Sequence, residues 1–249
     1  MILGGAAAPA SVVPSTDGAA AKGHGGGTNV LTTNDVTLTN ATANAILVAT
    51  IYHELNGALP TITSVTGASL TWTKRSGVAT GGISSLEVWW ALAPTPLSGV
   101  TITVNFSGNY DAAAIIVVPF KNANTSTPWD SNVAVPASTT SVGTGADYTP
   151  SVVVSTTANN CLLLYSAGTN QSWGLPDTVT PGFTSIAFVF NGTAPVLYAC
   201  MEVTSAPAAS PITGVTETWG SAIPIRAVPN SPIGPYTGLQ ATCDALVGA

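Results

Sequence analysis

The sequence predicts an all-β protein, an antiparallel β-sandwich of jelly-roll-like type with extended N- and C-terminal arms. Three observations carry that reading. Short segments rich in Val, Ile, Thr and Trp follow one another with Gly, Pro, Asn and Ser in the gaps, which is the pattern of strands joined by turns. No segment sustains apolar residues at the three- and four-residue spacing of a helix. Thr, Val and Ser dominate, and side chains branched or crowded near Cβ favour a pleated backbone.

Residues 1–27 are Gly, Ala, Pro and Ser without periodicity and end in His24-Gly25-Gly26-Gly27. They predict a flexible N-terminal arm that a neighbouring subunit would have to hold. Ala45 to His53 is a β-branched apolar run. Ser69 to Arg75 alternates Leu70, Trp72 and Lys74 against Thr71 and Thr73. In Ser85 to Ala93, Leu86, Val88 and Trp90 take one face, and Glu87, Trp89 and Ala91 the other. Gly99 to Ser107 alternates Val100, Ile102, Val104 and Phe106 against Thr101, Thr103 and Asn105. Ala112 to Lys121 is apolar on both faces, as a strand covered from two sides must be. Further strands are expected at Thr149 to Thr156, Asn160 to Ala167, Phe183 to Asn191, Pro195 to Thr204 and Ser221 to Ala227. The stretch from Pro229 to Ala249 opens Pro-Asn-Ser-Pro-Ile-Gly-Pro and reads as a second arm. The expected organisation is an arm at 1–27, one sandwich at 28–228 and an arm at 229–249. No internal repeat is strong enough in the sequence to divide the sandwich.

Composition narrows the function. Of 249 residues 45% are hydrophobic and only 6% charged, against about 25% charged in an ordinary soluble domain. Such a chain must cover itself with Thr, Ser, Asn, Gly and Ala or hide surface against neighbours. Disorder is excluded by the positive mean hydropathy of +0.39. No stretch approaches the ~20 apolar residues of a membrane helix. Five Lys and Arg together exclude a nucleic-acid role, which depends on neutralising several phosphates. The N-terminus lacks the basic segment and long apolar core of a secretory signal, so either cytosolic synthesis or prior removal of a signal is expected.

Gly67-Ala68-Ser69-Leu70-Thr71-Trp72-Thr73-Lys74-Arg75 is followed by Leu86-Glu87-Val88-Trp89-Trp90-Ala91-Leu92-Ala93-Pro94. Then come the Thr/Val strand from Leu97 to Phe106 and the Ala-rich run from Ala112 to Phe120. With Glu217-Thr218-Trp219 as a closing piece, this series resembles a β-sandwich module of tailed-bacteriophage virion proteins. Decoration, tail and fibre components carry that module, as do some bacterial surface proteins. The resemblance spans roughly residues 45–228 and implies a sandwich, a place on the particle exterior, and other virion proteins as partners. The major capsid protein or tail proteins head those partners, and a homo-oligomer is expected. The reading is a non-enzymatic capsid decoration or cement protein, with a tail or fibre adhesin for host glycan or protein as the alternative.

Candidate site residues are few, and each has a plain structural explanation. His53 and Glu54 are adjacent on a strand, so they point to opposite faces and cannot easily share a substrate. His24 is an isolated imidazole without zinc spacing around it. Asp111, Asp130, Asp147 and Asp177 are dispersed loop acids, whereas calcium wants 6 to 8 oxygens. No cofactor, metal or nucleotide motif is present. Trp72 and Trp90 read as core. Trp129 and Trp173 sit in loop contexts and are expected partner contacts, and Trp89, opposite Trp90, is expected against a second layer or a neighbour. Cys161 and Cys200 read as buried thiols. Cys243, in the expected C-terminal arm, is the candidate for an inter-chain disulfide.

Overall fold

The computed structural model describes residues 12–30, 33–55, 57–80, 82–143, 151–169, 183–190, 200–208, 210–218 and 237–249. Among the described residues there is no helix, and the protein is all-β. In the first half the strands are β1 Ser15–Thr16, β2 Ala21–Val30, β3 Thr33–Asn40, β4 Ala45–Glu54 and β5 Ile62–Gly67. They continue with β6 Thr73–Thr80, β7 Ser84–Ala93, β8 Leu97–Phe106 and β9 Tyr110–Lys121. The second half holds β10 Ala137–Gly143, β11 Ser151–Val154, β12 Cys161–Thr169, β13 Thr184–Phe190, β14 Cys200–Ala208, β15 Val215–Thr218 and β16 Thr237–Val247.

All pairings are antiparallel, and they make four sheets stacked as layers. The two inner sheets run β2-β9-β4-β7-β6, with β1 also on β9, and β10-β16-β12-β14-β13. The outer layers are β3-β8-β5 and β11-β15. The inner sheets meet each other through Ile46, Val48, Tyr52, Val88 and Phe120 on one side and Leu162, Leu164, Val203 and Leu246 on the other. Leu47, Ala49, Ile51, Ile115 and Val117 face the other way, onto Val36, Leu38, Ile102 and Val104 of the first outer sheet. Leu163, Tyr165, Ala167 and Cys243 likewise face Val152 and Val154 of the second. Covering from two sides explains why residues 45–49 of β4 and 112–120 of β9 are apolar throughout: burial on both faces removes the alternation that a half-exposed strand keeps.

The stack is therefore two sandwiches placed back to back, one per half of the chain, where a single sandwich over 28–228 was expected. Their inner sheets correspond strand for strand from β2-β9-β4-β7-β6 to β10-β16-β12-β14-β13, and several local details recur. The bend before β4 has Asn44 at φ 59° and the bend before β12 has Asn160 at φ 55°, a conformation Asn tolerates through its short polar side chain. Each sandwich has a bulge at the same register, Arg75 in β6 against β7 and Ile186 in β13 against β14. From β7 into β8 and from β14 into β15 the sequences run in ungapped register. Glu87-Val88 matches Glu202-Val203, Ala91 and Ala93 match Ala206 and Ala208, and Pro96 matches Pro211. Gly99-Val100-Thr101 and Thr103 match Gly214-Val215-Thr216 and Thr218. Gly99 and Gly214 have φ of 62° and 61°, and their N–H groups donate to the equivalent hydroxyls of Thr39 and Ser155.

Several expectations change in this frame. Residues 21–26 of the expected arm form part of β2, paired along β9 of the same chain, so no second subunit is required to hold them. Gly23 lies so close to Val36 and the Asp35 carbonyl, and Gly25 to the Tyr110 hydroxyl, that a Cβ at either would collide. The expected C-terminal arm contributes β16, which lies between β10 and β12. Trp72 is core as expected, at 9% exposure, but precedes β6 instead of lying on a strand. Gly67, Ala68 and Ser69 all have positive φ and turn the chain there. The strand expected at 221–227 lies outside the described residues.

Candidate functional site

The residues singled out by sequence are dispersed through the fold. His24 is exposed on β2, opposite Ala114. His53 is fully buried; its Nε2 lies 2.7 Å from the Pro60 carbonyl and its ring meets Phe106 edge-on at 5.1 Å. Burial pulls its pKa down, against the Pro60 contact and the charge of Glu87. Glu54 projects from the adjacent position and is buried. Trp89 packs toward the first outer core and donates from Nε1 to Glu87 at 2.8 Å, and Glu87 pairs with Lys74 at 2.8 Å. Trp173 lies outside the described residues, as do Asp147 and Asp177.

Two of these residues are drawn into the fold. Cys243 is completely buried, in register between Ala137 and Tyr165. Its thiol is enclosed by its own sheet and does not lie on the surface of the folded chain, as an inter-chain bridge would need. Trp129 is half-buried in the core between the inner sheets, and its ring is used within the chain.

Around Trp129 several side chains of both sandwiches converge. Trp90 meets it edge-on at 6.4 Å between centroids, and the Arg75 guanidinium lies 5.1 Å from its ring centre, within cation–π range. The same guanidinium donates to Asp244, Nε to Oδ2 at 2.6 Å and Nη2 to Oδ1 at 3.1 Å. That bidentate pair joins β6 of one sandwich to β16 of the other. Burial pushes the Asp244 carboxyl above its ordinary value, although Arg75 and the Ala245 N–H pull it down. Nearby, Thr50 and Ser166 are equivalent residues of the two sandwiches, and their hydroxyls meet at 3.1 Å. Tyr52 and Gly168 are also equivalent, and the Tyr52 ring packs directly on the Gly168 backbone.

Exchanging the two sandwiches carries the Trp129 seam onto a second seam. There Thr16 occupies the position of Trp129, Ser205 that of Trp90, Ile186 that of Arg75 and Val118 that of Asp244. This seam is open, a groove of ≈ 750 Å³ lined by Val13, Thr16, Leu162, Ile186, Ser205 and Pro207 among others, with Lys22 beside it.

Two buried carboxylates occupy equivalent bends. Asp17 accepts from the Ala41 N–H at 3.1 Å, the Thr42 N–H at 2.8 Å and the Thr42 hydroxyl at 2.7 Å. Asp130 accepts from the Thr157 N–H at 3.0 Å, the Thr157 hydroxyl at 2.9 Å and the Ala158 N–H at 2.7 Å. Burial alone would raise both carboxyls, but these hydrogen bonds outweigh it and hold both below the ordinary value. Asp130 also lies 3.7 Å from the Cys161 sulfur, and burial together with that charge pushes the thiol up to about 12. Among the described residues no group of three or more His, Cys, Asp or Glu is placed to hold a metal.

Sequence reasoning missed Arg75, Asp244 and Asp17 as structural anchors and read Asp130 as a loop acid. Arg75 lay in view within Trp72-Thr73-Lys74-Arg75, but nothing local pairs it with a residue in the other half. No protein-family model, curated protein or solved structure matches this chain.

Proposed function

We propose that this chain is a non-enzymatic structural protein of a tailed-bacteriophage particle, a decoration protein that binds the capsid exterior and stabilises the shell. The observation that carries the reading is the outward face of β3-β8-β5. It presents Thr37, Thr39, Thr101, Thr103, Asn105, Ser64 and Thr66, with Asp35 as the charge among them. Asn105 bridges to Ser64 at 3.1 Å, so the polar face is tied across strands. Hydroxyls and amides keep such a surface wetted without depending on ionic strength, which screens exposed charge pairs. The four-layer stack to which it belongs supports the same role, since buried apolar area is the main stabilising term of such a component. The partners proposed are the major capsid protein and further copies of the chain.

The test is quantitative mass spectrometry of purified particles, with the major capsid protein as internal standard. Hundreds of copies per particle are expected. A handful of copies moves the protein to the tail or fibre and its role to host adhesion, and absence from the particle overturns both.

A further inference from the structure

The two seams between the inner sheets are built from equivalent positions, and the described residues fill one of them. In the filled seam, Trp129 enters from the segment after β9 and lies against Trp90 under Arg75. In the other, Thr16, Ser205 and Ile186 stand in those places, so two indole rings are replaced by small hydroxyl side chains and the guanidinium by an aliphatic one. The pairing of Ser15–Thr16 on β9 and the bulge at Ile186 repeat the register of their counterparts. What remains is the open groove of ≈ 750 Å³.

We propose that this groove docks an aromatic side chain presented by an extended segment of a partner protein. Its floor is continuous with the interface between the two sandwiches, since Leu162 and Ala187 belong to that shared core. The equivalent seam takes a flat indole between the same strands, which identifies the shape and chemistry the frame accepts. Ser15, Thr184 and Ser185 line the groove with hydroxyls and Lys22 adds an ammonium, which reaches the Phe188 carbonyl at 3.5 Å. An aromatic residue anchored in an apolar slot within a polar rim is the usual centre of a protein–protein contact. The inference does not depend on which particle component the chain is.

The probe is an acetylated Gly-Ser-Trp-Ser-Gly peptide amide, titrated into the full chain with methyl groups of Ile, Leu, Val and Ala labelled for NMR. Signals of Val13, Leu162, Ile186 and Ala187 are expected to shift together and saturate at about 1 mM, an affinity reasonable for one anchor residue. The same peptide with Leu for Trp should bind at least about tenfold more weakly. Thr16→Trp with Ser205→Trp supplies the missing rings from within, and should abolish the response. Ser205→Trp alone serves if the double variant does not fold. Shifts scattered away from the groove, or none, overturn the proposal. An equal response to glucose makes the groove a sugar site instead. A concentration-dependent oligomer that the double variant dissolves gives it to a second copy of the chain; either result overturns the partner assignment.

Discussion

Replacing Asp130 with Ala removes the acceptor for three backbone donors at the entry to β12. The Asn132 N–H lies 2.7 Å from Oδ1, the Ala158 N–H 2.7 Å from Oδ2, and the Thr157 N–H 3.0 Å from Oδ2. A hydrogen bond to a charged acceptor contributes about 1.5–3 kcal/mol net. Thr157 is exposed, so water recovers part of that loss, and the expected destabilisation is about 3–5 kcal/mol. At about 2–4 °C per kcal/mol for a chain of this size, the melting temperature should fall by roughly 10 °C. Urea titration at pH 7, followed by Trp fluorescence, measures the difference, and Asp130→Asn, which keeps one oxygen, should lose about half as much. The carboxyl is held below its ordinary value of 3.8. Its contribution is therefore complete above that value and disappears as pH falls through the folded-state pKa. The wild type should lose stability with acid more steeply than Asp130→Ala, the two curves converging at low pH. A change under about 0.5 kcal/mol at pH 7 would refute the capping role, because that is the size of an ordinary surface substitution.

Arg75→Ile alone should destabilise by about 3–5 kcal/mol, since it leaves the Asp244 carboxylate buried without its cation. Arg75→Ile with Asp244→Val copies the Ile186 and Val118 of the other seam and should recover most of that loss, measured by the same urea titration. Gly168→Ala drives a methyl group into the Tyr52 ring; a loss of about 1–3 kcal/mol by thermal unfolding is expected from such overpacking. Cys161 and Cys243 should remain unmodified by a maleimide at pH 8 in the folded protein, and react once urea exposes them. Peptide mapping by mass spectrometry reads both.

Strands whose burial follows from local pattern were legible in the sequence. Ala45 to His53, Ser85 to Ala93 and Gly99 to Ser107 fall on β4, β7 and β8 within two residues at each end. The apolar run at 112–121 correctly signalled a strand covered from two sides. β2 escaped because Gly23 and Gly25 answer to close approaches by Val36, Asp35 and Tyr110, a tertiary demand that leaves no apolar periodicity. β16 escaped for a different reason. Its Leu239, Ala241, Cys243, Ala245 and Val247 do alternate with Gln240, Thr242 and Asp244, but small and polar residues and a preceding proline-rich stretch hid the pattern. The likeness of the two halves was present in Gly99-Val100-Thr101-Ile102-Thr103 and Gly214-Val215-Thr216-Glu217-Thr218. Elsewhere, equivalent strands share burial pattern more than identity, as Thr50-Ile51-Tyr52 and Ser166-Ala167-Gly168 illustrate. The Arg75–Asp244 pair joins residues 169 apart in the chain, and no local rule points from one to the other.

The covalent join between the sandwiches has a consequence for how this surface can change. In a homodimer every substitution is made twice, so its two seams, and its two outer layers, must remain copies of each other. Here each side is inherited separately. One seam carries Trp129 and Arg75, and the other Thr16 and Ile186 at the equivalent positions. A molecule of this kind can acquire a front and a back, offering one neighbour a different surface from the next, while the frame that supports both stays the same.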